Sequence, residues 1–264
     1  FFRDKFDEID LNSFNLGKVI GGFDVHTKTY VVSLQNNNNV DYDTLAFDES
    51  VKGWVSRYSY KPDQIFSLKN NYFTTFSGGA ENFNGLYKHY FGSEYGKFYG
   101  VNVDSSVTTV FNPKVSLSKN FLTIGYEGSN GWEMNDFRSD FTGVDNGINF
   151  DDVTFPVKSY DEGEFVINPA TGQPVRPADY QATFGTPYPP YNKMRAGFNR
   201  KENKYVSNLK NNSMPRPGEI VYSQSLSGVK GMFATVVFSI DSTTNITGKK
   251  ELFAVSSTYV ESSY

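Results

Sequence analysis

Two histidines, His26 and His89, are the chain's whole supply of imidazole, and it has no cysteine. Disulfides and thiolate metal sites are therefore excluded. No HExxH helix, His/Cys metal spacing or G-x-S-x-G elbow occurs. His26 sits in "VHTK" and reads as a solvated turn residue. His89 sits among aromatics in "LYKHYFG" and reads as a strand residue. The carboxylates come next. A glycosidase needs two of them across a cleft, roughly 5–9.5 Å apart. Asp24, Asp48, Glu127 and Glu133 are candidates, but with 29 acidic residues their spacing selects no pair. In "GVDNGINFDD", Asp145, Asn149, Asp151 and Asp152 are hard oxygen ligands of the kind Ca²⁺ takes, yet their spacing departs from the EF-hand pattern. No metal is assigned. The glycine-rich pieces "SGGA" and "GSNG" lack the Lys and helix of a P-loop and read as turns. Trp54, Tyr58 and Tyr60, in "GWVSRYSYKP", would share one face of a regular strand. There they would offer either a stacking platform for a sugar ring or a packing stripe, and packing is the preferred reading. No catalytic residue and no cofactor is assigned, and the chain is not expected to be an enzyme.

The elements that would position these residues are strands. The chain has 24 Phe, 18 Tyr and 2 Trp in 264 residues, while charged residues make up only 20%. Aromatics fit a pleated surface and Asn/Gly fill turns, so a mainly β fold is expected. Strand-like runs recur about every 8–12 residues, the rhythm of a propeller-like or sandwich architecture built from an antiparallel meander of hairpins. One device is written twice. Phe23-Asp24 leads to Tyr30-Val31, and Phe47-Asp48 leads to Trp54-Val55, each aromatic-Val step beginning seven residues after the Phe. The pair reads as a repeated hairpin in which the Asp organises backbone N–H groups at the turn.

Three segments are expected. Residues 1–135 form a β-hairpin repeat domain, opened by a short helix over 1–10, where Phe2, Phe6 and Ile9 follow helical spacing. Residues 136–200 form a Gly/Pro-rich extended arm, since six of the eleven prolines lie between 169 and 190. Residues 201–264 form a C-terminal β region, with 231–240 and 250–260 as one long hairpin. The net charge of −4, with no Lys/Arg block, argues against nucleic-acid binding driven by phosphate neutralisation, though not against a surface that lines a DNA channel, and no sequence-specific nucleic-acid partner is expected. No apolar run reaches the roughly 20 residues of a membrane-spanning helix. The chain starts at Phe1, so a processed product or a piece of a longer polypeptide is expected, in which a signal peptide would go unseen.

Two stretches carry a family resemblance. The first is "FFRDKFDEIDLNSFNLGKVIGGFDVHTKTYVVSL" with "LAFDESVKGWVSRYSYKPDQIFSLKNNYFTTFSGG". The second is the C-terminal "GVKGMFATVVFSIDSTTNITGKKELFAVSSTYVESSY". They resemble virion structural proteins of tailed bacteriophages, most closely the tail nozzle or muzzle-type proteins of crAss-like and marine phages. The resemblance covers roughly 1–135 and 200–264. It implies a non-enzymatic subunit of the phage tail that partners itself in a symmetric ring, and also other tail proteins. It further implies roles in assembly, host attachment and the genome-delivery conduit, for which a mildly acidic wall is suited. The alternative is a receptor- or glycan-binding β module on the same particle, with a host surface receptor as partner.

Overall fold

In a computed structural model the chain is built almost wholly of antiparallel strands. The structure describes residues 4–5, 17–36, 41–77, 85–140, 157–160, 163–171, 174–175, 177–185, 193–195, 197–211, 226–240 and 248–261. They fall into two compact units, Phe1–Val103 and Asp104–Tyr264. The helix expected over 1–10 lies outside the described residues, except that Asp4 and Lys5 are helical. The acidic loop 145–152 also lies outside them.

The N-terminal unit begins with four strands paired in chain order: β1 (Lys18–Asp24), β2 (Thr29–Gln35), β3 (Tyr42–Asp48) and β4 (Gly53–Tyr58). The repeated device is a hairpin made twice. Phe23 faces Tyr30 across β1/β2, and Phe47 faces Trp54 across β3/β4. Both loops are four residues long, 25–28 and 49–52, and both end in a lysine forced into the left-handed region, Lys28 at φ 59° and Lys52 at φ 53°. In each loop the Asp that ends the first strand accepts a backbone N–H two residues on: His26 to Asp24 at 2.8 Å and Ser50 to Asp48 at 2.7 Å. That is the Asx-turn geometry the sequence implies.

A second sheet holds β5 (Gln64–Leu68), β6 (Asn71–Phe76) and β7 (Gly85–Lys88), and a small ribbon pairs β8 (Lys97–Phe98) with β9 (Val101–Asn102). The β5/β6 turn falls on Lys69 and Asn70, at φ 48° and 60°. Positive φ at both central residues is the type I′ geometry that two-residue hairpins prefer. Val31 and Ala46 of the first sheet pack on Ile65 and Tyr72 of the second. The close approach of β1 to β5 depends on Gly22, where a Cβ would come within 2.3 Å of Ile65 Cγ2.

The C-terminal unit is a sandwich. One sheet has the order β10 (Ser105–Phe111), β21 (Ala234–Ile240), β12 (Glu133–Ser139). The other is centred on β11 (Lys119–Gly128). On one side of it run β17 (Lys204–Asn208) and β20 (Val229–Gly231), with β16 (Asn199–Lys201) beyond β17. On its other side lies β22 (Leu252–Glu261). Phe121 of β11 meets Phe137 of β12, and Tyr126 of β11 meets Phe238 of β21, with ring centroids 5.8 and 5.9 Å apart. Edge-on aromatic contacts of this kind close the interior between the sheets. In β21, Ala234, Val236, Phe238 and Ile240 all point into this core, as their alternation predicts.

Two expectations need correction. Residues 231–240 and 250–260 do not form a hairpin with each other. β21 is flanked on both edges by β10 and β12, which leaves it no free edge for β22, and β22 pairs with β11 instead. Alternating patterns show that a segment is a strand, but not which strand it neighbours. The Pro-rich stretch is also not extended throughout. It contains a three-stranded sheet of β13 (Glu164–Ile167), β14 (Pro174–Val175) and β15 (Lys193–Arg195), and one helix, α1 (Pro177–Phe184). The prolines sit where they are tolerated, Pro177 at the first helical position and Pro174 at the start of an edge strand. A last short pair joins β18 (Lys210–Asn211) to β19 (Leu226–Ser227).

Candidate functional site

The N-terminal unit encloses a cavity of about 380 Å³. Its deeper wall is aromatic. Tyr60 is only 3% exposed and packs tilted on both His89 and Phe98, with centroids 5.0 Å apart in each case. Tyr58 stacks on Tyr60 at 5.3 Å, and His26 stacks on Tyr90 at 4.1 Å. The mouth is made by residues 88–97, where Tyr90, Phe91 and Tyr95 all expose much of their rings, Phe91 at 78%.

The sequence explains this mouth. In "YFGSEYGKFYG" (90–100) an aromatic-Gly step recurs every four residues, at Phe91-Gly92, Tyr95-Gly96 and Tyr99-Gly100. All three glycines have positive φ, at 95°, 65° and 84°. Each step turns the chain in a way an L-residue resists, so successive aromatics are thrown onto one concave surface. This recurrence is the signal a reading of strand periodicity passes over, because it belongs to neither helix nor strand.

Polar groups around the cavity are held in place. The Tyr90 hydroxyl donates to Asp24 Oδ2 at 2.6 Å, which ties the cavity mouth to the first hairpin turn. The Tyr99 hydroxyl donates to Thr74 Oγ1 at 2.9 Å. Thr74 Oγ1 also hydrogen-bonds His89 Nε2, 2.7 Å away. Burial pushes the His89 pKa down to about 4, which keeps the ring neutral near pH 7. Burial also raises the hydroxyls of Tyr60, Tyr72, Tyr90 and Tyr99 well above the ordinary phenol value, so they stay neutral donors. On the rim Lys97 pairs with Glu94 at 2.8 Å, and Lys88 Nζ lies 5.2 Å from the Phe91 ring centre.

The trio Trp54, Tyr58 and Tyr60 is divided. Tyr58 and Tyr60 line the cavity. Trp54 does not, being 47% exposed and set edge-on against Phe47 at 5.3 Å. The cause is a bulge: Ala46 pairs with Ser56 and Phe47 with Trp54, so Val55 is an extra residue that breaks the alternation between Trp54 and Tyr58. The carboxylate candidates are each committed to a structural partner. Asp24 and Asp48 organise their turns, Glu127 pairs with Lys204 at 2.7 Å, and buried Glu133 pairs with Lys158 at 2.9 Å. Among the described residues no group of three or more His, Asp or Glu stands together as a metal site, and no helix is long and apolar enough to cross a membrane.

No curated protein matches the chain. Residues 93–212, just under half of it, match the family model described as the Crassvirus muzzle protein C-terminal domain. The match opens within the aromatic-glycine segment and runs through β11, β12 and β17 of the sandwich. Over those residues the chain is similar to the crassvirus muzzle proteins, and the match supports a structural component of the virion, in the phage tail.

Proposed function

We propose that this chain is a non-enzymatic subunit of a symmetric ring in the tail, at the nozzle/muzzle or tail tip, contributing to assembly, host attachment and the wall of the genome-delivery conduit. The observation that carries this reading is a pair of long sheet edges in the C-terminal unit. Among the described residues, the outer edges of β10 and β22 pair with no other strand. β10 reads "SSVTTVF" and β22 reads "LFAVSSTYVE", with no proline and with one charge, at the last position of β22. Exposed edges of monomeric proteins usually carry Lys, Pro or other devices that block pairing with another chain. These edges carry almost none, and a bulge in β22 turns Phe253 out to 73% exposure. A Lys114–Glu261 ion pair ties the loop after β10 to the end of β22. Such edges suit pairing between neighbouring subunits, and the net charge of −4 suits a conduit that does not retain DNA.

Mass photometry and native mass spectrometry of the full chain test this reading. A defined oligomer is expected, and Ser256→Lys with Thr258→Lys on the exposed face of β22 is expected to dissociate it with little change in melting temperature. A monodisperse monomer for the unaltered chain would sink the ring. A second role, binding a glycan on the same particle, is favoured by the aromatic cavity with its exposed mouth.

A further inference from the structure

We propose that the aromatic cavity of the N-terminal unit binds a neutral pyranose residue of a glycan, stacked on the exposed rings of its mouth. The inference rests on the binding reading of the cavity and is independent of ring assembly. Its size, about 380 Å³, lies at the lower end of the range for small-ligand pockets, with room for one or two sugar rings. Tyr90, Phe91 and Tyr95, within six residues of one another, are each more than half exposed. Three large aromatics held open to water are a cost to a monomer unless another surface covers them. The hydrogen-bearing face of a pyranose is flat, weakly polar and about the area of such a ring, so it can replace that water without stranding a polar group.

The remaining features favour a sugar over other ligands. A wholly apolar guest would desolvate donors it cannot satisfy. With His89 Nε2 occupied by Thr74, Nδ1 is the remaining polar atom of that imidazole, a donor or an acceptor according to the tautomer. A sugar hydroxyl, which both accepts and donates, suits it. A strongly charged guest is poorly served. Lys97 is compensated by Glu94, Lys88 already lies against Phe91, and His89 is neutral. The mouth is also set before binding. Tyr90 is anchored to Asp24, and the glycine turns fix the spacing of the rings. Little conformational freedom is left to lose when a ligand arrives.

The test is saturation-transfer NMR on the full chain with a panel of free hexoses, N-acetylhexosamines and short oligosaccharides, each at about 10 mM, tenfold above a millimolar dissociation constant. Nucleosides run in parallel. At least one sugar is expected to show transfer to its ring C–H protons. Phe91→Ala with Tyr95→Ala, both at exposed positions, is expected to weaken binding at least fivefold while the melting temperature stays within a few degrees. Trp54→Ala, outside the cavity, is expected to leave binding unchanged. The proposal is overturned if no sugar binds, if the double variant binds as the parent does, or if nucleosides bind and sugars do not. A monomeric chain that still binds sugar would sink the ring and leave the cavity's role standing, so the two failures are distinguishable.

Discussion

The two copies of the Phe-Asp hairpin have the same backbone and different duties. In both, a strand-ending Asp caps a four-residue loop, a lysine sits in the left-handed region, and two aromatics face each other across the strands. Asp48 serves only its own loop, accepting from the Ser50 N–H and hydroxyl. Asp24 is 1% exposed and does more, accepting from Thr27 Oγ1 at 2.9 Å as well as from the Tyr90 hydroxyl, 66 residues along the chain. One copy is therefore local architecture, and the other joins the first sheet to the mouth of a cavity. The lesson is that a repeated sequence device fixes a local shape, while its role depends on what the fold brings against it.

Substitution at the two aspartates breaks the comparison most directly. Asp24→Ala removes the acceptor of three part-buried donors at once, the His26 N–H and the Thr27 and Tyr90 hydroxyls, and is expected to destabilise the N-terminal unit by roughly 2–3 kcal/mol, read by chemical denaturation. An effect as small as that of Asp48→Ala would show that the buried network is not a support. The next effect is pH dependence. His89 has its pKa held down to about 4 in the folded state. The unfolded chain, with a value near 6.5, takes up this proton first as the pH falls. Stability is therefore complete above about pH 6.5 and is lost progressively toward pH 4, by roughly 3 kcal/mol in all. Denaturation curves of the parent and of His89→Gln across that window check it, and the variant is expected to lack this component.

Smaller effects refine the contrast. Tyr90→Phe removes one hydroxyl from Asp24 and keeps the ring, so a loss of about 1–2 kcal/mol is expected, together with lower rigidity of 88–97 in hydrogen exchange. Asp48→Asn is expected to lower the melting temperature slightly at neutral pH. The hydrogen bonds from Ser50 hold the Asp48 carboxyl below its usual value. The benefit is therefore present above about pH 4 and vanishes as the pH falls through the lowered folded-state value. Melting temperatures of parent and variant should converge in acid. Smallest and most alike, Lys28→Gly and Lys52→Gly should each stabilise by up to about 1 kcal/mol, because both relieve the same left-handed backbone. Unequal gains would mean that the two loops differ in more than their surroundings.

Much of the fold was legible. Alternation in "TYVVSLQ" and "ATVVFSI", and turn chemistry in "VHTK" and "DESVK", place β2, β21 and two loops where they are found. The turn at Lys69-Asn70 is less legible, since Lys is a poor advertisement for positive φ. The candidate site was half legible. Tyr58 and Tyr60 were singled out, but the bulge that expels Trp54 leaves no mark in the pattern, and "YFGSEYGKFYG" obeys neither the strand period nor the helical one.

By itself the sequence determined that this is a strand protein rich in aromatics, that one hairpin is written twice, and that the chain holds neither cysteine chemistry nor a dense basic surface. Those properties are set by composition and by neighbours a few residues apart. Only the tertiary structure decided that β10, β21 and β12 share a sheet across more than a hundred residues, that β22 joins β11 rather than β21, and that Asp24 meets Tyr90. The physical reason is that pairing between distant strands depends on which edges remain free and which faces pack together. Alternating side chains record the face, and nothing in the local pattern records the partner.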